Sequence, residues 1–307
     1  MIEVKIIADS ISREDKRITT FVLTYPRFIH AEFMTHRVFS RNASSSRAIP
    51  VKKQIQMVID NPAIPLAFTR NQKGMQGGEA LDGKAHELAV RTWLHARDRA
   101  VNFANDLADL EVHKQYANRL LEPFAHITVV CTATDFDNFF ALRTHKDAQP
   151  EINELAQQMY KAYKKSKPQL LNPGEWHLPF ITEDDYTDTI TALMGVMVPN
   201  QQEMQQLLLK RSVAKCARVS YLTHEGKAST LEQDLDLYDR LLASQPLHAS
   251  PAEHQATPGP ADERSGNFTG WIQYRKTLSN ENIVNFTEYL DDLSRDKLSE
   301  YTVRSKV

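Results

Sequence analysis

The sequence has few cysteines and few glycines, and both shortages narrow the choice of function. Cys131 and Cys216 are the only cysteines among 307 residues. They cannot provide a disulfide framework for a chain of this length, nor the thiolates of a four-cysteine zinc site. The ten glycines form neither the G-x-G-x-x-G of dinucleotide-binding turns nor the G-x-x-x-x-G-K-[ST] of phosphate-binding loops. A bound nucleotide therefore needs other contacts.

The sequence also lacks a strong net charge and long hydrophobic runs. A net charge of −2, with 25% charged residues, argues against binding nucleic acid or an anionic membrane through a global field. No apolar run approaches the roughly 20 residues that cross a bilayer, and the first residues do not follow the pattern of a signal peptide. We expect a cytoplasmic protein with neither a nucleic acid nor a membrane partner.

Strand and helix patterns alternate along the chain. The β-branched runs 2–8 and 18–25 predict antiparallel neighbours, and 125–134 predicts a third, buried strand. One long helix should bury a seam of apolar residues at helical spacing: Ala89, Trp93, Ala96, Ala100, Phe103, Leu107 and Leu110. We expect an α+β fold in which a mainly antiparallel sheet packs with long helices, as a single catalytic core with insertions.

Two shorter helices and a long loop complete the predicted elements. Ile152, Leu155 and Met159 have helical spacing after Pro150, which fits a first helical turn. Another helix starts at Thr230, where Gln233 completes a capping box. Segment 58–84 is polar, contains four of the ten glycines and is predicted to be a loop.

Three polar clusters could support chemistry. The densest is THRVFSRNASSSR (35–47), where arginine forks and serines suit an anion, although a solvated serine-rich loop has the same composition. The second, at 138–152, contains Arg143 and on its own is typical of a capped helix start. The third, HASPAEH (248–254), is a turn or a metal site, but two histidines without a third ligand argue only weakly for metal.

Taken together, the clusters resemble the motifs of flavin-dependent thymidylate synthases. THRVFSRNASSSR is similar to the family's R-H-R, seven residues, S-x-R signature, with Thr35 in place of the first arginine and Ala43 in place of a usual glutamate. NFFALRTHKDAQPEI resembles the family's F-x-x-L-R-x-x-x-x-A-Q-x-E-I helix entry, and NRLLEP resembles its A-R-x-x-L-P segment. In the third strand, Thr132 replaces the family's asparagine.

Two further motifs of the family occur in a different order. ARVSY (217–221) resembles the A-A-R-V-S-Y strand, and HASPAEH resembles the H-x-[ST]-P-x-E-H flavin motif. In the family both precede the arginine-rich loop, whereas here both follow it. The order is that of a circularly permuted member. We expect a single domain of this type over 1–307, with motif segments at 18–50, 115–165 and 212–258 and a peripheral C-terminal extension at 280–307.

The resemblance implies methylation of dUMP to dTMP, with methylenetetrahydrofolate as carbon donor, FAD as redox cofactor, NADPH as reductant and no metal. It also implies a homotetramer. Arg143 and Arg47 would be catalytic. The substrate contacts would come from Ser44, Ser45, Arg47, Arg119 and Arg143. The FAD contacts would come from His36, Arg37, Asn42, Asn138, Ser220, His248, Ser250 and His254.

The departures at Thr35 and Ala43 leave two alternatives. One is another flavin- and folate-dependent modification of a pyrimidine nucleotide, such as hydroxymethylation. The other is a non-catalytic nucleotide-binding homologue. Neither cysteine lies in an activating motif, so we interpret both as core thiols.

Overall fold

A five-stranded sheet forms the centre of the computed structural model, which describes residues 2–194, 200–221, 229–242, 247–279 and 281–290. Its order is β3-β4-β2-β1-β5, and every pairing is antiparallel except that of β1 with β5. The strands are β1 (Glu3–Ile11), β2 (Arg17–Pro26), β3 (Ser40–Ala43), β4 (His126–Ala133) and β5 (Gln169–Leu170). The three predicted strands and the mainly antiparallel α+β fold are confirmed.

Helices surround this sheet. They are α1 (His30–Phe33), α2 (Val51–Asp60), α3 (Gly83–Asp109), α4 (Lys114–Ala117), α5 (Asp137–Arg143), α6 (Pro150–Lys165), α7 (Glu183–Met194), α8 (Gln201–Arg218) and α9 (Leu231–Leu242). Four short strands follow: β6 (Ala256–Pro258), β7 (Arg264–Ser265), β8 (Phe268–Thr269) and β9 (Trp271–Gln273). In the part of the chain that the structure describes, no helix has the length and apolar character needed to cross a membrane.

The main core lies on one face of the sheet. Alternate residues of β2 and β4, among them Phe21, Leu23 and Val129, point to this face and are buried against α5 and α6. The predicted seam of α6, including Leu155 and Met159, supplies the other side of the core. The opposite face of the sheet carries polar residues.

Local signals for two helices are confirmed. Pro150 lies in the first turn of α6. At the start of α9, the backbone N–H of Gln233 donates to Thr230 Oγ1 at 3.3 Å, and the N–H of Thr230 donates to Gln233 Oε1 at 3.2 Å. This reciprocal pair is the predicted capping box.

Two local predictions are wrong. The predicted seam of α3 is not buried as a whole: Trp93 and Ala100 pack into a core cluster that includes residues of α2, whereas Phe103 is 57% and Leu110 is 74% exposed. The inaccessible Ala104 lies beside the seam, so the buried edge of the helix is shifted from the one that the spacing predicts. The predicted strand at 217–221 is instead the end of α8 followed by a 3-10 turn at Val219–Tyr221.

Buried charges join α7, α8 and α9. Arg211, on α8, bonds to Asp185 at 3.1 Å, to Asp188 at 2.8 Å and to Asp234 at 3.1 Å. Lys215 lies 2.6 Å from Asp185. Burial alone would raise the pKa of Asp185, but hydrogen bonds from Lys215 and the Thr182 turn outweigh it and lower that pKa.

We predict that Asp234→Ala lowers the free energy of unfolding by about 3–5 kcal/mol, because it leaves buried arginine charge uncompensated. Asp236→Ala, on the same helix, removes only an exposed pair with Arg240 and should change stability by less than about 1 kcal/mol. Urea denaturation of both variants provides the measurement. Equal losses would show that the buried network contributes nothing specific.

Candidate functional site

Arg143, at the end of α5, is held by three side chains from the segment before β3. Its Nε donates to His36 Nε2 at 2.9 Å, one terminal nitrogen pairs with Glu32, and the other donates to Thr35 Oγ1 at 3.4 Å. The predicted catalytic arginine and the predicted flavin contact His36 are therefore direct neighbours. Thr35, which replaces the family's arginine, bonds to this group.

His36 is a neutral acceptor. It stacks on Phe39 with ring centroids 5.7 Å apart and meets the edge of Phe139 at 4.9 Å. Burial, followed by the charges of Arg143 and Arg41, lowers the pKa of His36 to about 4. An unprotonated Nε2 can accept from Arg143, which fixes the plane of the guanidinium.

Arg41 was not predicted as a site residue. One of its terminal nitrogens donates to the backbone carbonyls of Phe33, Met34 and His36, at 3.3, 3.1 and 3.1 Å. It thereby fixes the turn that carries His36. Its position within the arginine-rich motif at 35–47 marked Arg41 as a candidate. The sequence alone does not distinguish an arginine that bonds to the backbone from one that contacts a ligand.

Arg143 lines a cavity of about 1380 Å³. One wall is formed by residues 141–151, and the other by 65–78, within the predicted loop. Glu151 joins the two walls: it is 1% exposed, its Oε1 accepts from the backbone N–H of Leu66 at 2.7 Å, and its Oε2 accepts from Gln149 at 2.9 Å. The cavity therefore has a defined shape around the predicted catalytic group.

A second group of predicted residues follows β3. Ser44 is buried and its Oγ accepts from the N–H of Thr128 at 3.1 Å, so it fastens the loop to β4. Ser45 and Arg47 are more exposed, and the guanidinium of Arg47 has no partner among the described residues. Arg119 is exposed and pairs with Glu122 at 2.9 Å. These side chains can meet an anion at the surface.

The two groups approach β3 from opposite ends. Arg143 contacts residues that precede the strand, whereas Arg47 follows it. A strand of four residues is about 13 Å long. The described residues give no contact between the two predicted catalytic arginines.

The motifs from the C-terminal half lie against β3 and β4. The N–H of Ser45 donates to the carbonyl of Ser220 at 3.0 Å. With its amide nitrogen turned toward the carbonyls, Asn42 donates to the backbone oxygen of Ser250 at 3.1 Å. His254 Nδ1 lies 2.8 Å from Thr132 Oγ1. Motifs that are far apart in sequence therefore meet on the polar face of the sheet.

A buried line of hydrogen bonds crosses that face. His177 bonds to Ser10 at 2.9 Å and to Thr20 at 2.8 Å, and Thr20 bonds to Thr132 at 2.7 Å. From Thr132 the line continues to His254, whose Nε2 is 3.4 Å from the Asn42 amide. Burial, with a small contribution from His177, lowers the pKa of His254 to about 3. His177 belongs to no recognised motif and was not predicted.

Burial divides the predicted flavin contacts into two classes. His36, Asn42 and His254 are buried and bonded within the chain. The others lie at or near the surface: Arg37, Asn138, His248 and Ser250 are exposed, and Ser220 is half-buried. The side chains of the second class are accessible to a ligand at the surface. Among the described residues, no group of three His, Cys, Asp or Glu side chains is placed to hold a metal ion.

Comparison with known proteins identifies a family. The profile of the family described as thymidylate synthase complementing protein matches residues 16–169, half of the chain. No curated protein matches the sequence.

Two solved structures resemble this one. Both are of the UMP/dUMP methylase PolB from Streptomyces cacaoi, bound with 5-Br dUMP or with 5-Br UMP. Each is 20% identical to this chain and covers 54% of it. The first is covered to 90% with a TM-score of 0.45, and the second to 89% with a TM-score of 0.46.

We predict that acid destabilises the fold through the buried histidines. Burial lowers the pKa of His177 to about 3, against about 6.5 in an unfolded chain. Between these values the unfolded state binds more protons, so the free energy of unfolding falls as the pH is lowered. Each such histidine contributes at most about 1.4 kcal/mol per pH unit.

His177→Gln should flatten this dependence when urea unfolding is followed between about pH 5 and pH 7. His95→Gln, which removes an exposed histidine from α3, is the matched control. If both variants kept the slope of the unmodified protein, the buried line would not be the source of the acid sensitivity.

Proposed function

Because the chain belongs to the thymidylate synthase complementing protein family, we propose that it methylates the uracil ring of dUMP to give dTMP. The carbon donor would be methylenetetrahydrofolate, and the hydride would come from FAD reduced by NADPH. The observation that carries the proposal is the placement of Arg143 at the wall of a large cavity, with its orientation fixed by His36 and Glu32.

Arg143 suits a role beside the uracil. Its bonds to His36, Glu32 and Thr35 leave an N–H on each terminal nitrogen. Donors that are already oriented stabilise charge that develops on a carbonyl oxygen without further reorganisation. A uracil ring becomes nucleophilic at carbon as negative charge spreads to its oxygens. Arg143 would hold that charge.

The phosphate of dUMP would lie near Arg47. Its guanidinium is exposed and without a partner among the described residues, and Arg119 and Ser45 lie in the same predicted group. Arginine offers two parallel donors that match phosphate oxygens. Ser44, which is buried and bonded to β4, would position this loop rather than contact the substrate.

Both cysteines favour a hydride route over a thiolate route. Cys131 and Cys216 are inaccessible, and burial raises the pKa of each thiol. A thiol kept protonated in the core cannot attack a uracil ring.

The exposed donors fit a flavin laid on the surface. Arg37, Asn138, His248 and Ser250 offer a cation, an amide, an imidazole and a hydroxyl, which suit phosphate, ribose and ring edges. When bound, FAD supplies the redox chemistry. Asn42 would hold the backbone of Ser250 in place, and His254 would hold the same turn through Thr132.

We propose the homotetramer that the family resemblance implies. The contacts of Ser220, Ser250 and His254 with the β3 and β4 region support the proposed circular permutation.

The direct test is to incubate the FAD-reconstituted protein with dUMP, methylenetetrahydrofolate and NADPH and to identify the nucleotide by mass. We expect dTMP. A hydroxymethylated nucleotide would establish the alternative modification. Binding of dUMP by a protein that takes up no FAD would indicate a non-catalytic homologue. The double variant Cys131→Ala/Cys216→Ala should retain activity, and its loss in a folded protein would contradict the hydride route.

We predict that Arg143→Gln lowers kcat by about 100- to 1000-fold, because an oriented donor to the developing charge is lost. Arg143→Lys should recover only part of this, since lysine keeps the charge but not the planar fork. Arg240→Gln removes an exposed arginine from α9 and provides the control. Steady-state formation of dTMP measures all three, and an unchanged kcat in Arg143→Gln would remove Arg143 from the chemistry.

A further inference from the structure

The cavity wall at 65–78 contains no helix, but backbone hydrogen bonds give it a defined conformation. The N–H of Arg70 donates to the carbonyl of Glu79 at 2.8 Å, and the N–H of Gly78 donates back to Arg70 at 2.8 Å. Thr69 and Gly77 approach so closely that a Cβ on Gly77 would lie 2.0 Å from Thr69 Oγ1. The pairing and the close approach define a hairpin that turns at the cavity.

Two anchors hold this hairpin against the rest of the chain. Phe68 packs on Trp93 of α3 with ring centroids 6.2 Å apart. On the other side, the buried carboxylate of Glu151 accepts from the N–H of Leu66. The hairpin is therefore fixed to the same α5–α6 junction that presents Arg143.

Two of the cations that line the cavity have no partner within the described residues. Arg70 and Lys146 line it from opposite walls, and neither side chain has an ion pair or hydrogen bond among the described residues. The three acidic side chains of the lining are engaged elsewhere: Glu32 pairs with Arg143, Asp147 contacts His145, and Glu151 accepts from Leu66 and Gln149. Arg70 and Lys146 are therefore available to an anionic group on a ligand.

This anion differs from the phosphate assigned above. Arg47 and Arg119 do not line the cavity. A volume of about 1380 Å³ also exceeds the usual range of about 300–1000 Å³ for one small ligand. The fully exposed thioether of Met75 suits the face of a planar heterocycle. Gln149 donates one N–H of its amide to Glu151 and can offer the other to the edge of such a ring.

We propose that Arg70 and Lys146 bind the glutamyl carboxylates of the tetrahydrofolate carbon donor, with the hairpin at 65–78 as the wall that selects it. This assignment rests on the proposed function. It adds a binding site for the carbon donor beside Arg143, separate from the cations that would hold the nucleotide phosphate.

The test compares Arg70→Gln and Lys146→Gln with Lys73→Gln, a matched control on the same hairpin that removes the same charge outside the cavity lining. For the FAD-reconstituted protein, each cavity variant should raise KM for methylenetetrahydrofolate about tenfold, as expected for one lost charge-assisted bond. KM for dUMP should change little. The effect should grow when the donor carries several glutamyl residues, and Lys73→Gln should behave as the unmodified protein.

Binding of tetrahydrofolate, measured by calorimetry without turnover, distinguishes a failure of this site assignment from a failure of the proposed function. Formation of dTMP by the unmodified protein, with tetrahydrofolate affinity unchanged in both cavity variants, would overturn this assignment and leave the proposed function intact. A rise in KM for dUMP alone would place the nucleotide phosphate in the cavity and also overturn it. An unmodified protein that makes no dTMP would refute the proposed function itself.

Discussion

The hydrogen-bond line from Ser10 to His254 is the interaction on which the rest of the structure depends. It takes one polar side chain from each of β1, β2 and β4, and it connects them through two histidines that come from later in the chain. A buried polar group left without a partner costs about 1–3 kcal/mol. The buried hydroxyl groups of this face therefore need the segments that carry His177 and His254, because these histidines are their hydrogen-bond partners.

The two faces of the sheet contact different parts of the chain. One face carries the apolar residues that pack against α5 and α6, and this packing determines the position of Arg143 at the end of α5. The other face binds the C-terminal motifs and places Ser250 beside β3. Thr132 can serve between Thr20 and His254 because a hydroxyl both donates and accepts. Thr132, where the family resemblance gives asparagine, thus joins two strands and His254.

Predictions from sequence succeeded where the cause of the structure is local. The capping box at Thr230, the proline that opens α6 and the alternation along β2 act within a few residues. They failed where packing against a distant part of the chain decides whether a residue is buried. The apolar spacing of α3 does not reveal that Phe103 stays exposed, because the spacing does not say which residues of the helix other elements cover. Nor does any motif mark His177, whose role depends on strands more than 150 positions away.

Whether an arginine or lysine has a carboxylate partner within the chain indicates whether it stabilises the fold or is available to a ligand. With a net charge of −2, the chain has enough carboxylates to neutralise its arginines, and the buried Arg211 shows how completely it does so. Arg47 lies in a serine-rich turn, and Arg70 and Lys146 line a cavity; none of the three side chains has a hydrogen bond or ion pair among the described residues. These two separate places are suited to two anionic groups at once, as a reaction between a nucleotide and an acidic carbon donor requires.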